Sequence, residues 1–425
     1  MTSTVPTSTS TPMPRRAGCC KPVQKTLAAA SLSGLLGIGL AAPPVTAQDL
    51  DPLALQADDT ATGQAEDPLG LRVELSQQWL ERLPPPASAP HGVAGALPAQ
   101  QQRLVLDFRR EWQLDGTTRV GLSNHAEHLW SSARTETRNA LREAYVSHQW
   151  GKGWFTDVGR INWRNGVGTG FNPTDFLRDG ASIEQATQDP RALRENRLGT
   201  VMLRQQWLGE TGSIQAALIP SIPHGNDSPR AFGWRRTNAR DALLLKVTPI
   251  LNERTTFDAL AYWRQGDAPR WGANLTYLAT DAWVLHAEIA CTRRSTLPTA
   301  LRPPSWRTGD DQRRGLDHAL GATWASTSGP VWTIELQRDA RQQTRAAFVR
   351  MAWEKPFDLP NTQFAAFLRQ DLDHARRWWQ MDLAWNLNDG HSLSVLLGGT
   401  AGSFPMLAHT GAARRQALLA WRMDW

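Results

Sequence analysis

Cysteine, lysine, tyrosine and long apolar runs are all scarce in this chain. Of its 3 Cys, Cys19 and Cys20 fall within a basic N-terminal leader, so Cys291 stands alone in the remainder and no disulfide can form inside it. No apolar run beyond the N-terminus approaches the ~18–20 residues that a spanning helix needs, which excludes a helical membrane protein. Strand spans stay open, because alternate residues of a barrel strand can be polar. No glycine loop for phosphate and no nucleotide fingerprint is found, so neither a cofactor nor a nucleic-acid partner is expected. His125-Ala126-Glu127-His128 comes nearest to a metal cluster. Its spacing suits a helix while the segment reads as strand or loop, so no metal is expected.

The first 47 residues read as an export signal. Arg15, Arg16, Lys21 and Lys25 form the positive leader, Leu27 to Ala42 the apolar stretch, and Val45-Thr46-Ala47 the cleavage site before Gln48. Pro43-Pro44 closes the apolar stretch, which argues against a membrane anchor, and the residues after Arg15-Arg16 fit the twin-arginine route poorly. With four basic residues and no acid gone, the formal charge falls from +6 to +2. The basic balance of the whole chain is thus largely that of the leader.

Residues 48–100 carry eight acidic and two basic residues, a net of −6, and are rich in Ala, Pro and Gly. Such a composition reads as a mostly flexible periplasmic segment, available to a periplasmic partner. Within it Asp67 can cap a helix with Pro68 at its first position, and Leu71, Leu75 and Trp79 recur at four-residue spacing. A short helix over about 67–83 is therefore predicted, in the tail or as a plug in a barrel mouth.

From about residue 101 onward the chain reads with period two. In 331–339, Trp332, Ile334, Leu336 and Arg338 oppose Thr333, Glu335, Gln337 and Asp339. In 377–388, Trp379, Met381, Leu383, Trp385 and Leu387 oppose Gln380, Asp382, Ala384 and Asn386. One face suits oil and the other a polar interior. Short turn signals such as Gly209-Glu210-Thr211-Gly212, Ser328-Gly329-Pro330 and Asn388-Asp389-Gly390 alternate with longer polar stretches at 223–240 and 292–314. About 17 strands can be counted, and closure favours an even number. The expected fold is all-β, a transmembrane antiparallel β-barrel of about 16–18 strands over 101–425.

Tryptophan is the abundant aromatic, at 20 residues against 3 Tyr. Trp112, Trp130, Trp150, Trp154, Trp207, Trp263, Trp271, Trp283, Trp324 and Trp353 fall near strand ends, as interfacial girdles require. A carbohydrate-binding track would need them on the polar face instead. A soluble β-sandwich or propeller fits a single strand equally well; the final segment discriminates. Ala417, Leu419, Trp421, Met423 and Trp425 alternate with Gln416, Leu418, Ala420, Arg422 and Asp424. This resembles the C-terminal signal of outer-membrane proteins, and the resemblance implies recognition of Trp421, Met423 and Trp425 by the barrel-assembly machinery. Phe is the usual last residue, so Trp425 is a mild departure.

A second resemblance lies in Gly159-Arg160-Ile161-Asn162-Trp163 followed by Gly170-Phe171-Asn172-Pro173-Thr174-Asp175-Phe176. It is similar to a G-R-x-x-x-W-G … N-P-x-D segment of Gram-negative outer-membrane barrels, distantly like alginate-export porins. Arg164 and Asn165 intervene here before Gly166. The resemblance implies a barrel in the Gram-negative outer membrane, surrounded by lipids and lipopolysaccharide, and leaves the solute open. Physically, Glu143 and Arg160 lie on consecutive strands and can pair. Gly166, Gly168 and Gly170 permit a bent loop, and Asn172-Pro173 favours a turn before Asp175. That loop either folds inward to narrow a pore or simply connects two strands.

Strand phase places Arg109, Arg119, Arg160, Arg204, Lys246, Arg264, Arg350, Arg369 and Arg422 inward. It also places inward Asp107, Glu111, Glu143, Asp258, Glu288, Glu335, Asp339, Asp371, Asp382 and Asp424. Nine bases against ten acids do not make an anion channel; a balanced lumen can knit itself into ion pairs. The constriction candidates are Glu143, Arg160, Asn172, Asp175, Arg204, Asp258, Arg264, Glu288, Arg369 and Asp382. Enzyme chemistry finds little support. Asp317-His318 and Asp373-His374 are adjacent strand residues that point to opposite faces. The functional expectation is a channel for polar solutes, with a non-conducting structural or secretion-partner barrel as the alternative.

Overall fold

The computed structural model describes residues 69–82, 100–132, 135–183, 185–222, 235–293, 314–340, 343–402 and 413–425. Residues 1–47, read as the export signal, and 48–68 lie outside them.

Eighteen strands form one closed antiparallel sheet. They are β1 (Leu71–Arg82), β2 (Gln100–Gln113), β3 (Thr118–Ser131), β4 (Thr135–Gly151), β5 (Trp154–Ile161), β6 (Thr200–Gly209), β7 (Gly212–Ile219), β8 (Ala242–Asn252) and β9 (Thr255–Arg264). The circuit continues with β10 (Arg270–Thr280), β11 (Trp283–Arg293), β12 (Arg314–Ala325), β13 (Val331–Asp339), β14 (Thr344–Glu354), β15 (Thr362–Asp371), β16 (Arg377–Asn388), β17 (His391–Ala401) and β18 (Ala413–Asp424). Each strand pairs with its neighbours in chain order, and β1 pairs with β18 to close the ring. Closure leaves no sheet edge, which a lipid environment demands.

The predicted helix over 67–83 is not formed. Leu71–Arg82 is a strand, hydrogen-bonded to β2 on one side and β18 on the other. The reason is periodic. A spacing of four satisfies both a helix and a strand, and Val73, two residues after Leu71, falls on the same outward face as Leu75 and Trp79. The barrel therefore begins at β1 rather than at 101. Of the expected periplasmic segment, Leu71–Arg82 belongs to the barrel wall.

Side chains sort by phase as expected. Leu75, Leu106, Leu203, Leu218, Leu275, Leu285, Leu320, Ile334, Leu336, Met381 and Leu419 are exposed on the outside. A continuous exposed apolar belt of this extent belongs in lipid. The ten tryptophans read as girdles all fall on the outward phase, near strand ends. Trp283 stacks on Trp324 at 5.9 Å at one end, and Trp263 meets Trp271 edge-on at 5.4 Å at the other. The end that carries Leu71 and Trp425 is called lower here. Its connections are short, such as 152–153, 210–211 and 389–390, whereas the upper end carries 83–99, 162–199, 220–241 and 294–313.

Candidate functional site: a loop folded into the lumen

Strand lengths decide where the chain leaves the wall. β3 and β4 have 14 and 17 residues, but β5 has 8 and ends at Ile161. The chain departs part-way up the barrel and returns at Thr200. Residues 162–199 fold inward between these points, which resolves the two readings of this segment in favour of an inward loop.

Its fold is written locally. Asn172 and Pro173 make the turn expected of them, with Asp175 N donating to Asn172 O at 3.3 Å. A short helix, α1 (Pro190–Glu195), starts on Pro190, and the Asp189 side chain caps it by accepting from Arg191 N at 3.0 Å. Arg197 holds Asp175 by two hydrogen bonds of 2.6 and 3.1 Å, both residues being buried. Arg194 donates to Asn165 O and Gly166 O at 2.9 and 2.8 Å. Burial lowers the pKa of Arg194, and the charges of Asp175 and Glu288 oppose that shift.

Two wall carboxylates receive the loop tip. Glu288 on β11 is fully buried and accepts from Gly168 N, Asn172 Nδ2 at 3.0 Å, Thr174 Oγ1 at 3.0 Å and Thr174 N at 3.4 Å. Glu335 on β13 accepts from Thr169 N, Gly170 N at 2.9 Å, Gln337 Nε2 at 2.8 Å and His286 Nε2 at 3.1 Å. Charge-assisted bonds of this kind contribute roughly 1.5–3 kcal/mol each. The glycines make the approach possible. Gly166 has φ +98°, and a Cβ there would lie 2.6 Å from the Glu288 carboxylate; one on Gly170 would lie 2.6 Å from the Phe348 ring.

Beyond the tip the loop reaches the far wall. Gln188 N donates to Gln380 Oε1 at 2.6 Å, Arg350 to Asp189 at 3.3 Å, and Gln416 Nε2 to Ala186 O at 3.2 Å. Ala186 packs on Leu396, Leu418 and Ala420. On the β5–β11 side Phe176 stacks on Tyr262 at 5.6 Å, within an apolar cluster that includes Ile161, Trp163, Leu177, Met202 and Leu244. The lumen of these strands is thus filled by the loop.

The remaining polar wall is knitted together. Arg103 Nε donates to Glu127 at 2.6 Å, Arg142 pairs with Asp107 at 2.9 Å, and His125 meets Asp107 at 2.9 Å. Arg142 and Glu143 both face inward because Arg142 is the extra residue of a bulge between the pairs Ser123–Glu143 and Asn124–Leu141.

The ten constriction candidates divide accordingly. Asn172, Asp175 and Glu288 come together at the loop. Arg204 pairs with Asp157 at 2.9 Å and lies over Trp163 at 5.4 Å. Asp258 binds Lys246, Thr248 and Asn274 at 3.1, 2.6 and 3.2 Å. Arg264 clasps Asp267, which sits in the upper β9–β10 turn. Burial raises the Asp267 carboxyl, yet the hydrogen bond and charge of Arg264, with Arg240 and Arg270, hold it below the ordinary carboxylate value. Arg369 lies over Trp378 at 5.7 Å, and Asp382 accepts from Gln380 at 2.6 Å.

Arg160 is the exception. It aligns with Ala144 and Val201 on the outward phase, and its guanidinium binds Gly199 O and Arg235 O at 3.1 and 2.6 Å. Glu143 instead accepts from Asn162 N at 2.9 Å and faces Arg109 at 3.7 Å, so the expected Glu143–Arg160 pair is not made. The constriction candidates also leave out Arg142, Arg194, Arg197 and Gln380. The adjacent charges Arg142-Glu143 are a legible sign of a bulge, and Gln380 is already on the polar phase of 377–388; Arg194 and Arg197 depend on the loop path. Asp317 and His318 do point to opposite faces, as β12 pairs them with Ala290 and Ile289.

A closed antiparallel barrel with an apolar exterior, short turns below, long connections above and a loop in its lumen defines a porin-type transmembrane β-barrel. Among solved structures the chain is similar to OccAB2 of Acinetobacter baumannii, at 9% identity over 86% of this chain and 99% of that one, with a TM-score of 0.50. OccAB3 of the same organism is similar at 8% identity over 84% and 98%, again with a TM-score of 0.50. At such identities the likeness is one of fold. No family model matches the chain, and no curated relative matches it.

Proposed function

We propose that this protein is an outer-membrane channel that passes polar solutes, with the inward loop 162–199 as its constriction. One observation carries the reading: the loop leaves the wall at β5, crosses the lumen and is anchored on the far side by Glu288, Glu335, Arg350 and Gln380, on β11, β13, β14 and β16. A barrel serving only as a wall would not need its interior occupied by a loop so specifically held. The segment 159–176, which resembles the G-R … N-P-x-D segment of outer-membrane barrels distantly like alginate-export porins, supplies both the departure from β5 and the anchored tip. Residues 1–47 supply export, Trp421, Met423 and Trp425 the signal to the assembly machinery, and lipids and lipopolysaccharide the surroundings. No enzymatic role is proposed.

The apolar cluster around Phe176 and Tyr262 favours a second reading, a non-conducting barrel that is structural or partners a secretion system. Planar-bilayer recording of the refolded full chain separates the two. Discrete channels are expected, with larger conductance in Glu288→Ala/Glu335→Ala, where the tip loses its acceptors. Silence in both proteins would sink the channel reading.

A further inference from the structure

The outward face near the upper rim carries arginines that no carboxylate among the described residues neutralises. On the outward phase His318 aligns with Arg338, and Arg338 with Arg345. Arg377, on β16, is also outward and aligns with Gln370, one step lower. Arg345 is clasped by Asp373 at 2.6 and 2.9 Å. Arg338 and Arg377 are exposed and have no carboxylate partner among the described residues. Beneath them on these and the neighbouring strands the outward side chains include Trp379, Leu320, Leu336 and Leu368, the leucines exposed by 52%, 57% and 43%. An arginine at the boundary of an oil-facing belt is stabilised by a countercharge, and no carboxylate among the described residues supplies one.

We infer that Arg338 and Arg377 bind the phosphates of lipid A, the diphosphorylated disaccharide lipid that anchors lipopolysaccharide. The inference rests on the outer-membrane reading, in which the upper end, with its long connections, faces the outer leaflet. Geometry selects this lipid. Strands lie ~4.8 Å apart, so β13 and β16 are separated by about 14 Å, with Arg345 between them. That span suits a headgroup with one phosphate at each end of a disaccharide and exceeds what a single-phosphate glycerolipid offers. Guanidinium forks match phosphate oxygens bidentately, and the leucines below accept acyl chains.

Native mass spectrometry of the refolded full chain in detergent, with lipid A, dephosphorylated lipid A and phosphatidylglycerol in competition, tests this. Wild-type protein is expected to retain diphosphorylated lipid A at least about 10-fold over either competitor. Each of Arg338→Gln and Arg377→Gln should reduce retention about 5-fold, as expected for one basic residue near a charged leaflet. Arg110→Gln, on the outward phase at the lower end beside Trp112, should change nothing. Heat-dependent gel mobility verifies that each variant folds. Equal retention by the double variant, or equal retention of phosphatidylglycerol, overturns the proposal. A protein that keeps lipid A but never conducts supports it and counts only against the channel.

Discussion

Arg197 and Asp175 form a buried two-bond ion pair, 2.6 and 3.1 Å, between residues 22 apart in the same inward loop. The pair ties the turn at Asn172-Pro173 to the segment that returns to β6. Removing one partner strands the other charge, at a cost of about 3–5 kcal/mol. Arg197→Ala should therefore loosen the loop while the barrel, held by its ladder, stays folded. Limited proteolysis should cut within 162–199 in the variant alone, with unchanged heat-dependent gel mobility. Arg197→Met/Asp175→Leu should regain much of the resistance.

Gly166 is held at φ +98° against Glu288. Gly166→Ala meets both backbone strain and a clash, together on the order of 1–3 kcal/mol. Displacement of the tip should make channel current noisier and accelerate amide exchange at 168–174. Wild-type exchange rates there would contradict this account of the glycine.

The outward belt predicts a sharp asymmetry between neighbouring residues. Ile334 is 54% exposed on the outside, and Thr333 is buried on the lumen side. Ile334→Arg should destabilise the protein by about 2–4 kcal/mol in lipid vesicles, the range for arginine near the bilayer midplane. Urea unfolding in vesicles checks it, and the penalty should shrink in detergent micelles. A similar loss in both media would point away from lipid contact.

Asp267 predicts a pH dependence in the upper β9–β10 turn. Its folded pKa is lowered, so its stabilisation is fully present above the ordinary carboxylate value and disappears as pH falls through the folded one. Asp267→Asn should weaken the protein at pH 7, and the difference from wild type should vanish in acid. A difference that grows on acidification would contradict the clasp by Arg264.

Much of the wall was legible because lipid on one side and a polar lumen on the other impose period two, which a sequence displays directly. That is why Trp283, Leu336 and Leu419 were placed outside, and Glu288, Glu335 and Asp382 inside. Two failures have separate physical causes. Leu71, Leu75 and Trp79 sit at a spacing where helix and strand periods coincide, and only pairing with β18 and β2 selects the strand. Arg160 lies near the end of the shortened strand β5 on the outward phase, and phase alone does not tell what meets it there: its guanidinium donates to Gly199 O and Arg235 O.

By itself the sequence determined the two-faced strands, the girdles, the turn at Asn172-Pro173 and the glycines that permit a tight tip. Each depends on neighbours close along the chain. Only the tertiary structure decided that β1 closes the ring, that β5 ends part-way up, and that Glu288, 114 residues beyond Thr174, receives the loop. Those outcomes depend on strand count and relative strand length around a closed circuit, which no local pattern encodes.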